Sequence, residues 1–280
     1  MGISRSPTHL HSTTETITRE TSTRWVLDKM APLAPTLKAG EYQFPPHISL
    51  RTVINKLATA DVAPERTLTI PEGFTVKQAI NRISTIQGLT GQATTPEEGM
   101  LFPDTYHYTY GTPRQKLLGV MQQRMEKELT NAWQNRTPNL PINTPNELLI
   151  LASIIQKEAA NEQEMPTISS VFINRLNKKM RLQSDPTVIY GAEITENNIR
   201  KKDLTEAHPF NTYIYPGLPP TPIANPGRAA LLAAANPAST TFLFFVSNPS
   251  RTEHIFSQTY AEHQKHVKAY WKYTDAKPSK

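Results

Sequence analysis

Apolar residues recur at helical spacing in several stretches of this chain and form short alternating or continuous runs in others. Positions three and four apart share one face of a helix, so the first pattern predicts amphipathic helices. These helices are predicted at 50–60, 75–84, 114–133, 144–159, 165–178, 228–235 and 259–271. Strands are predicted at 37–46, 66–73, 240–248 and 254–257. The pattern therefore predicts an α+β fold, with a small α+β module followed by a larger mixed α/β domain.

The segments between these elements differ in composition. Residues 1–34 are rich in Ser, Thr and Arg, and we predict a disordered polar tail there. This tail has no apolar core segment of the kind that a signal peptide needs. No run of about 18 uncharged apolar residues occurs in the sequence, so no transmembrane helix is predicted. The stretch from His208 to Gly227 is a long loop dominated by Pro and Gly, and such loops tend to be functional.

The helix predicted at 144–159, TPNELLILASIIQKEA, begins with a strong start signal. Thr144 is a good N-cap, and Pro145 suits the first helical position. Glu147 follows the cap by three residues, and its side chain is predicted to close a capping box with Thr144. Apolar residues then recur at helical spacing up to Glu158, so the helix is expected to bury one face and to carry this acidic residue at its end.

Glu158 is the candidate catalytic residue of this helix. Ile154 and Ile155 lie four and three residues before it and are its neighbours on the helix surface. An apolar setting favours the protonated carboxyl and raises its pKa, and a carboxylic acid that keeps its proton near neutral pH can serve as a general acid. The alternative is an ordinary solvated residue near a helix end, and helical spacing alone does not decide between the two.

Composition narrows the range of functions. The sequence has no Cys, which excludes disulfides and thiolate metal sites. The net charge is +6, with small basic clusters at 178–181 and 200–202, but no nucleic-acid-binding motif accompanies them. A solvated basic surface explains these clusters, so no nucleic-acid partner is predicted. Glu262, His263 and His266 lack a further ligand at suitable spacing, so we predict neither a metal nor another cofactor.

Several short motifs follow one another in order between Leu37 and Trp271. They are LKAGEYQF, IPEGFTVKQAINRIS, EEGMLFPDTY, LASIIQKEA, VFINRL with RLQSDPTVIYG, HPFNTYIYPGLPPTPIANPG, FLFFVSN and HIFSQTYAEH. In these motifs the chain resembles the endolytic murein (lytic) transglycosylases of bacteria. Each motif is weakly specific by itself, and the resemblance lies in their shared order over most of the chain.

The resemblance implies a domain plan and an activity. The plan is a LysM-like glycan-binding module at 35–104, a transglycosylase catalytic domain at 105–272 and a C-terminal tail at 273–280. The activity is that of a lyase, with Glu158 as the acid, that cleaves peptidoglycan between N-acetylmuramic acid and N-acetylglucosamine and leaves 1,6-anhydromuramoyl ends. Such cleavage would limit the length of nascent glycan strands. The resemblance also implies the periplasmic face of the bacterial inner membrane, peptidoglycan strands as the substrate, and cell-wall synthases as further partners.

Polar residues in two of the resembling loops are predicted to bind sugar, because amides and hydroxyls suit N-acetyl and ring hydroxyl groups. They are Gln183, Ser184, Asp185 and the nearby Tyr190 in the first, and Asn211 and Tyr213 in the second. Structural alternatives stay open for three of them. Asp185 could cap a helix, Asn211 could form a turn, and Tyr213, like Tyr215, could be a core aromatic or a sugar-stacking ring.

The chain departs from the family pattern at several positions. Gln156 stands where many relatives carry a Glu, so the alternative function is a catalytically impaired peptidoglycan-binding protein. His208, Phe210 and Thr221 replace residues that are usual in the long loop, which bears on substrate contacts. The short polar N-terminus differs from the membrane-spanning helix of relatives; an omitted anchor, a misplaced start and an atypical member are all open explanations.

Overall fold

The computed structural model describes residues 42, 44–59, 66–194, 199–250 and 252–275. Residue contacts divide the chain into two compact units, Met1–Arg66 and Thr67–Lys280. The described part of the first unit contains helix α1 (Leu50–Thr59), which confirms the helix predicted at 50–60. The predicted tail at 1–34 and most of the strand predicted at 37–46 lie outside the described residues.

After α1 the chain forms two short strands and two helices, in the order β1 (Arg66–Thr69), α2 (Val76–Ser84), β2 (Thr105–Tyr108) and α3 (Arg114–Gln134). Four helices follow: α4 (Pro145–Glu158), α5 (Met165–Asn177), α6 (Asp185–Gly191) and α7 (Arg228–Ala235). The described part ends with strands β3 (Phe244–Ser247) and β4 (His254–Ser257) and helix α8 (Tyr260–Asp275). Short 3-10 turns occur at Glu162–Glu164 and Asp203–Thr205. Helices with small sheets are consistent with the predicted α+β class.

Strands β1 and β2 pair in a two-stranded sheet that packs with α2. Thr75 is the N-cap of helix α2 and forms a full capping box with Gln78. Strand β2 was not predicted, because its sequence TYHY lies among aromatic and turn residues. Its alternation was nevertheless a usable signal, since Tyr106 and Tyr108 are buried while their neighbours are exposed. These elements enclose the first hydrophobic cluster, which contains Leu68, Ile70, Val76, Ala79, Ile83, Leu89, Leu101, Tyr106, Tyr108, Leu117, Leu118 and Met121.

Helix α4 is the centre of the second hydrophobic cluster. Every residue from Leu148 to Ile155 is buried, so this helix is covered on all sides rather than on one face. It packs against α3, α5, α6 and α7. The prediction of a single apolar stripe therefore understated its burial. The reason is the apolar run LLILA followed by Ile154 and Ile155, which suits a helix enclosed by others.

Helix α3 takes part in both clusters. Its first half contributes Leu117, Leu118 and Met121 to the first cluster, and its second half contributes Met125, Leu129 and Ala132 to the second. Both clusters lie within the unit Thr67–Lys280. The predicted boundary between residues 104 and 105, and the LysM-like nature of residues 35–104, remain predictions.

Strands β3 and β4 form an antiparallel hairpin in which Phe244 pairs with Ser257 and Ser247 pairs with His254. All four residues of β3 are half-buried, whereas the sequence predicted a buried strand. Helix α8 packs on this hairpin and continues to Asp275. The predicted C-terminal tail at 273–280 therefore starts within the helix, and residues 276–280 lie outside the described part. In the part of the chain that is described, no helix has both the length and the hydropathy for crossing a bilayer.

Candidate active site

Helix α4 delivers Glu158 as its last residue. Thr144 caps the helix by accepting a hydrogen bond from the Glu147 N–H at 3.1 Å. The Glu147 carboxylate accepts instead from the N–H of Asn143 at 2.5 Å, so the reciprocal half of the predicted capping box goes to the residue before the cap. At the other end the backbone turns to an extended conformation at Ala159, which ends the helix directly after Glu158.

Ser184 donates a hydrogen bond from its Oγ to Glu158 Oε1 at 2.5 Å. Its backbone N–H donates to Thr212 Oγ1 at 3.0 Å, and Thr212 is 2.9 Å from the hydroxyl of Thr187. Ser184, Thr187 and Thr212 are all buried. The serine hydroxyl is therefore held against the carboxyl by a network of short polar side chains. This contact joins two residues that the sequence had nominated separately, one as the acid and one as a sugar ligand.

Burial raises the pKa of Glu158 to about 7. The negative charge of Asp185 acts in the same direction, while the Ser184 hydrogen bond and the positive charge of Arg175 lower the pKa. The Glu158 side chain is half-buried: protein atoms surround it, yet part of it remains accessible to solvent. The carboxyl therefore holds a proton in a substantial fraction of molecules near neutral pH, as a general acid must.

Arg175, on helix α5, is a site residue that the sequence reasoning missed. Its side chain is only 7% exposed, and it donates to the carbonyls of Leu182 and Leu243, both at 2.7 Å. Its guanidinium also lies 5.3 Å from the centre of the Phe244 ring. Leu182 precedes the loop that carries Ser184, so Arg175 fixes that loop to the hairpin. A buried Arg was detectable only as one basic residue within the apolar helix VFINRL.

Asp185 and Tyr213 form a second polar contact in this region. The Tyr213 hydroxyl donates to Asp185 Oδ1 at 2.5 Å. Asp185 is exposed and is the first residue of α6, with Ser184 in the N-cap position. Tyr213 is half-buried, and burial together with Asp185 raises the pKa of its phenol well above the usual range. The phenol therefore keeps its proton near neutral pH and acts as a hydrogen-bond donor there.

Asn211 is fully buried, and its amide is used within the protein. The amide nitrogen donates to the carbonyl of Glu206 at 2.8 Å, and the amide oxygen accepts from the Tyr213 N–H at 2.9 Å. These contacts give it the turn-forming role that was the alternative reading of the sequence. Gln183 is exposed and has a positive φ of 50°, and its N–H donates to the Thr212 carbonyl at 3.1 Å. Sugar binding by either residue remains a prediction.

Tyr190 contacts Glu98 at a neighbouring cavity rather than the Glu158 carboxyl. Its hydroxyl donates to Glu98 Oε2 at 3.2 Å, and its ring packs edge-on against Phe210. Burial raises the pKa of Glu98, which also accepts hydrogen bonds from backbone N–H groups, and the pKa of Tyr190 rises to about 12. Tyr190 and Glu98 line a cavity of about 440 Å³ with residues of α2, and Glu158 is not among the lining residues.

No group of three or more His, Asp or Glu side chains within the described residues is arranged to hold a metal ion. His263 was considered as a metal ligand in the sequence analysis, and in the structure its ring stacks on Phe244 with ring centres 5.3 Å apart. Burial lowers the pKa of His263, with Arg175 and His266 acting in the same direction.

A family model described as the YceG-like family matches residues 8–269. The chain belongs to the YceG-like family. Similar proteins include the endolytic murein transglycosylase of Bacillus subtilis (strain 168), which is 38% identical over 177 residues, or 62% of this chain and 48% of that protein. The endolytic murein transglycosylase of Streptococcus pneumoniae serotype 2 (strain D39 / NCTC 7466) is 27% identical over 279 residues, or 82% of this chain and 50% of that protein. These names confirm the family resemblance drawn from the motifs.

The crystal structure of a YceG-like protein from Listeria monocytogenes is similar to this chain over most of its length. The TM-score is 0.60 at 29% sequence identity, and the match covers 86% of this chain and 89% of that chain. The chain spans about half the length of the Bacillus and Streptococcus relatives.

Gln156, where this YceG-like chain departs from the motif, links α4 to two loops. Its Oε1 accepts a hydrogen bond from the Gly227 N–H at 2.8 Å. Its side chain also makes a hydrogen bond to Glu72 that lowers the Glu72 pKa, but desolvation outweighs this and the pKa is raised overall. A Cβ at Gly227 would fall 1.8 Å from Glu72 Oε1, so a larger residue there would displace the Glu72 carboxyl group. The amide of Gln156 therefore has a defined structural role two residues before Glu158.

Proposed function

We propose that this chain carries an endolytic peptidoglycan lytic transglycosylase activity, which cleaves the bond between N-acetylmuramic acid and N-acetylglucosamine and leaves 1,6-anhydromuramoyl ends. The observation that carries the proposal is the Glu158 carboxyl, whose pKa is raised to about 7 beside the Ser184 hydroxyl. A group with this pKa can donate a proton near neutral pH and take it back in the same catalytic cycle. The names of the Bacillus and Streptococcus relatives support the same substrate and reaction.

The reaction needs one acid that later acts as a base. Glu158 donates its proton to the glycosidic oxygen, and the bond from that oxygen to C1 of the muramic acid residue breaks with its electron pair on the leaving oxygen. An oxocarbenium-like centre develops at C1. The 6-hydroxyl of the same sugar then attacks C1, and its proton returns to the Glu158 carboxylate. Because the substrate supplies the nucleophile, water is not consumed and proximity replaces a second nucleophilic group.

The environment of Glu158 suits both halves of this cycle. Burial favours the neutral acid before cleavage, whereas Ser184 and Arg175 stabilise the carboxylate that cleavage produces. These opposing influences keep the pKa close to neutral rather than at either extreme. Around this centre we propose that Gln183, Asp185 and Tyr213 contact the sugar, while Asn211 shapes their loop and Tyr190 lines the neighbouring cavity.

The remaining parts of the proposal concern the wider role of the protein. We propose that residues 35–104 form the LysM-like glycan-binding module and that cleavage limits the length of nascent glycan strands. The location that goes with this substrate is the periplasmic face of the bacterial inner membrane, where cell-wall synthases would be partners. These features are supported by the family and by the names of its members rather than by the geometry of the site.

The experiment is digestion of purified sacculi, followed by mass spectrometry of the released muropeptides. Wild-type protein is expected to release fragments with anhydro ends, which are lighter by one water than hydrolysed fragments. Glu158→Gln removes the transferable proton while keeping the side-chain volume, and it is expected to abolish release. Glu126→Gln makes the same chemical change at an exposed position of α3 and is expected to retain wild-type activity.

Three outcomes would overturn parts of the proposal. Reducing ends without anhydro products would indicate a hydrolase. Binding to sacculi without any product would indicate a peptidoglycan-binding protein. Anhydro products at an undiminished rate from Glu158→Gln would keep the activity and remove Glu158 as its acid.

A further inference from the structure

Two carboxyl groups of different character lie close together in the candidate site. Ser184 donates to Glu158 at 2.5 Å, and Asp185 is the next residue in the chain. Glu158 is half-buried among apolar residues, whereas Asp185 is exposed at the start of α6. Neighbouring carboxyl groups in unlike environments take on unlike roles, one as a proton donor and the other as a fixed negative charge.

Tyr213 restrains the Asp185 carboxylate from the opposite loop. Its hydroxyl donates to Asp185 Oδ1, while its own backbone is fixed at two points. The Tyr213 N–H donates to Asn211 Oδ1 at 2.9 Å, and the Tyr213 carbonyl accepts from Arg181 at 2.9 Å. An exposed Asp ordinarily samples several rotamers, and this contact selects one of them. The hydrogen bond occupies Oδ1 and leaves the second carboxylate oxygen for another partner.

We propose that Asp185, oriented by Tyr213, is a second catalytic residue whose carboxylate stabilises the positive charge that develops at the anomeric carbon. This inference rests on the proposed function and deepens it. Asp185 transfers no proton and forms no bond in the step. The proton of Glu158 still goes to the glycosidic oxygen, and the 6-hydroxyl still returns a proton to Glu158.

The geometry accounts for why such a charge is useful here. Glu158 becomes negative only after it has given up its proton to the glycosidic oxygen. The hydrogen bond that Ser184 donates then partly neutralises the charge of the carboxylate. Asp185 is negative throughout, so it attracts the cationic centre while the bond is still breaking. A carboxylate held in place beforehand needs no reorganisation at that moment, and this is the condition under which electrostatic stabilisation is most effective.

The structural alternative is that the Asp185–Tyr213 contact only ties two loops together. In that case its loss would weaken substrate binding or folding, but would leave turnover at saturating substrate intact. The two interpretations therefore predict different values of kcat for a variant that lacks this contact.

The test compares Asp185→Asn, Tyr213→Phe and the double variant with wild type, using glycan strands of defined length at pH 6. Both substitutions keep the side-chain shape and remove only the charge or the hydroxyl. Asp185→Asn is expected to lower kcat by about 100-fold to 1,000-fold with little change in KM. Tyr213→Phe is expected to lower kcat by about 10-fold, and the double variant is expected to match Asp185→Asn, since Tyr213 acts through Asp185.

Glu193→Gln is the matched control, because it removes a negative charge from the other end of the α6 segment. Glu193 is exposed, and its Oε2 lies 3.7 Å from Lys77 Nζ. Glu193→Gln is expected to leave kcat unchanged. A second readout is the alkaline limb of the pH–rate profile. Asp185 raises the Glu158 pKa, so Asp185→Asn is expected to move that limb to lower pH. Because this shift follows from the Asp185 charge whether or not Asp185 takes part in the step, it verifies that the substitution removed the charge near Glu158, and kcat decides between the two interpretations.

A kcat for Asp185→Asn within about 3-fold of wild type would overturn the inference, while the loss of activity in Glu158→Gln would leave the proposed function standing. If Asp185→Asn lowers the thermal midpoint, Tyr213→Phe decides the matter, because a drop in kcat with an unchanged midpoint supports the inference and an unchanged kcat overturns it. Absence of anhydro products from wild type would remove the proposed function and this inference with it.

Discussion

In the proposed mechanism, the hydrogen bond from Ser184 to Glu158 helps to set the pH range in which Glu158 acts as the acid. Ser184→Ala removes one hydroxyl from a buried position and keeps the backbone contact to Thr212. Hydrogen bonds to charged groups contribute about 1.5–3 kcal/mol, and each pKa unit corresponds to about 1.4 kcal/mol. The hydroxyl stabilises the ionised form of Glu158, so its loss is expected to raise the Glu158 pKa from about 7 by about 1–2 pH units.

A general acid works in its protonated form, so activity falls as the pH rises through its pKa. Ser184→Ala is therefore expected to move the alkaline limb of the kcat/KM profile to higher pH, whatever its effect on the maximal rate. The assay is the initial rate of release of anhydro-ended fragments between about pH 5 and pH 10.

Ser153→Ala serves as the control, because it removes a buried hydroxyl from α4 that bonds to Ile150 and Ile223 rather than to the acid. Its alkaline limb is expected to coincide with that of wild type. A limb that stays in place in Ser184→Ala, or that moves to lower pH, would show that this hydrogen bond does not govern the acid.

Three further predictions concern stability and charge. The Glu158 pKa is raised in the folded state from 4.5 to about 7, so its stabilising contribution is present below pH 4.5 and is lost as the pH rises through 7. Glu158→Gln is therefore expected to raise the free energy of unfolding by up to about 3 kcal/mol at pH 8.5 and by little at pH 4, in urea titrations at both pH values; equal differences at the two pH values would contradict this. Arg175→Met is expected to move the alkaline limb of the pH–rate profile to higher pH, because Arg175 lowers the Glu158 pKa. It is also expected to lower the free energy of unfolding by about 2–5 kcal/mol, because the carbonyls of Leu182 and Leu243 lose their hydrogen-bond donor. An alkaline limb that stays in place would show that Arg175 does not influence the Glu158 pKa. Leu151→Ala, at a position with no exposure in α4, is expected to cost about 2–5 kcal/mol in the same titrations, and a cost below about 1 kcal/mol would show that the cluster around α4 closes over the gap.

Local sequence signals predicted the helices well. Thr144 and Pro145 mark the start of α4 because capping depends on residues within one turn, and the helix indeed begins at Pro145. The same holds for Thr75 at the start of α2. The raised pKa of Glu158 also agrees with the reasoning from its apolar neighbours, since Ile154 and Ile155 are fully buried.

Features that depend on contacts between distant residues could not be read in the same way. Ser184 meets Glu158 across 26 residues, and Tyr190 meets Glu98 across 92 residues. Arg175 was overlooked because a basic residue in a helix normally faces solvent, and only the tertiary structure shows it buried on two carbonyls. The sequence could nominate polar residues in the two loops, but their division into sugar-facing and loop-bracing groups depends on which partners the fold supplies.

Helix α3 has a consequence for how this family can be recombined. Its first half contributes residues to one hydrophobic cluster and its second half contributes residues to the other, so a single continuous helix joins the two clusters. A chimera that takes the first half from one homologue and the second from another must match both sets of apolar residues on a single helix. Crossovers inside residues 114–134 are therefore expected to give insoluble products. Crossovers in the loop at 135–144 leave helix α3 intact and change only its contacts with the second hydrophobic cluster.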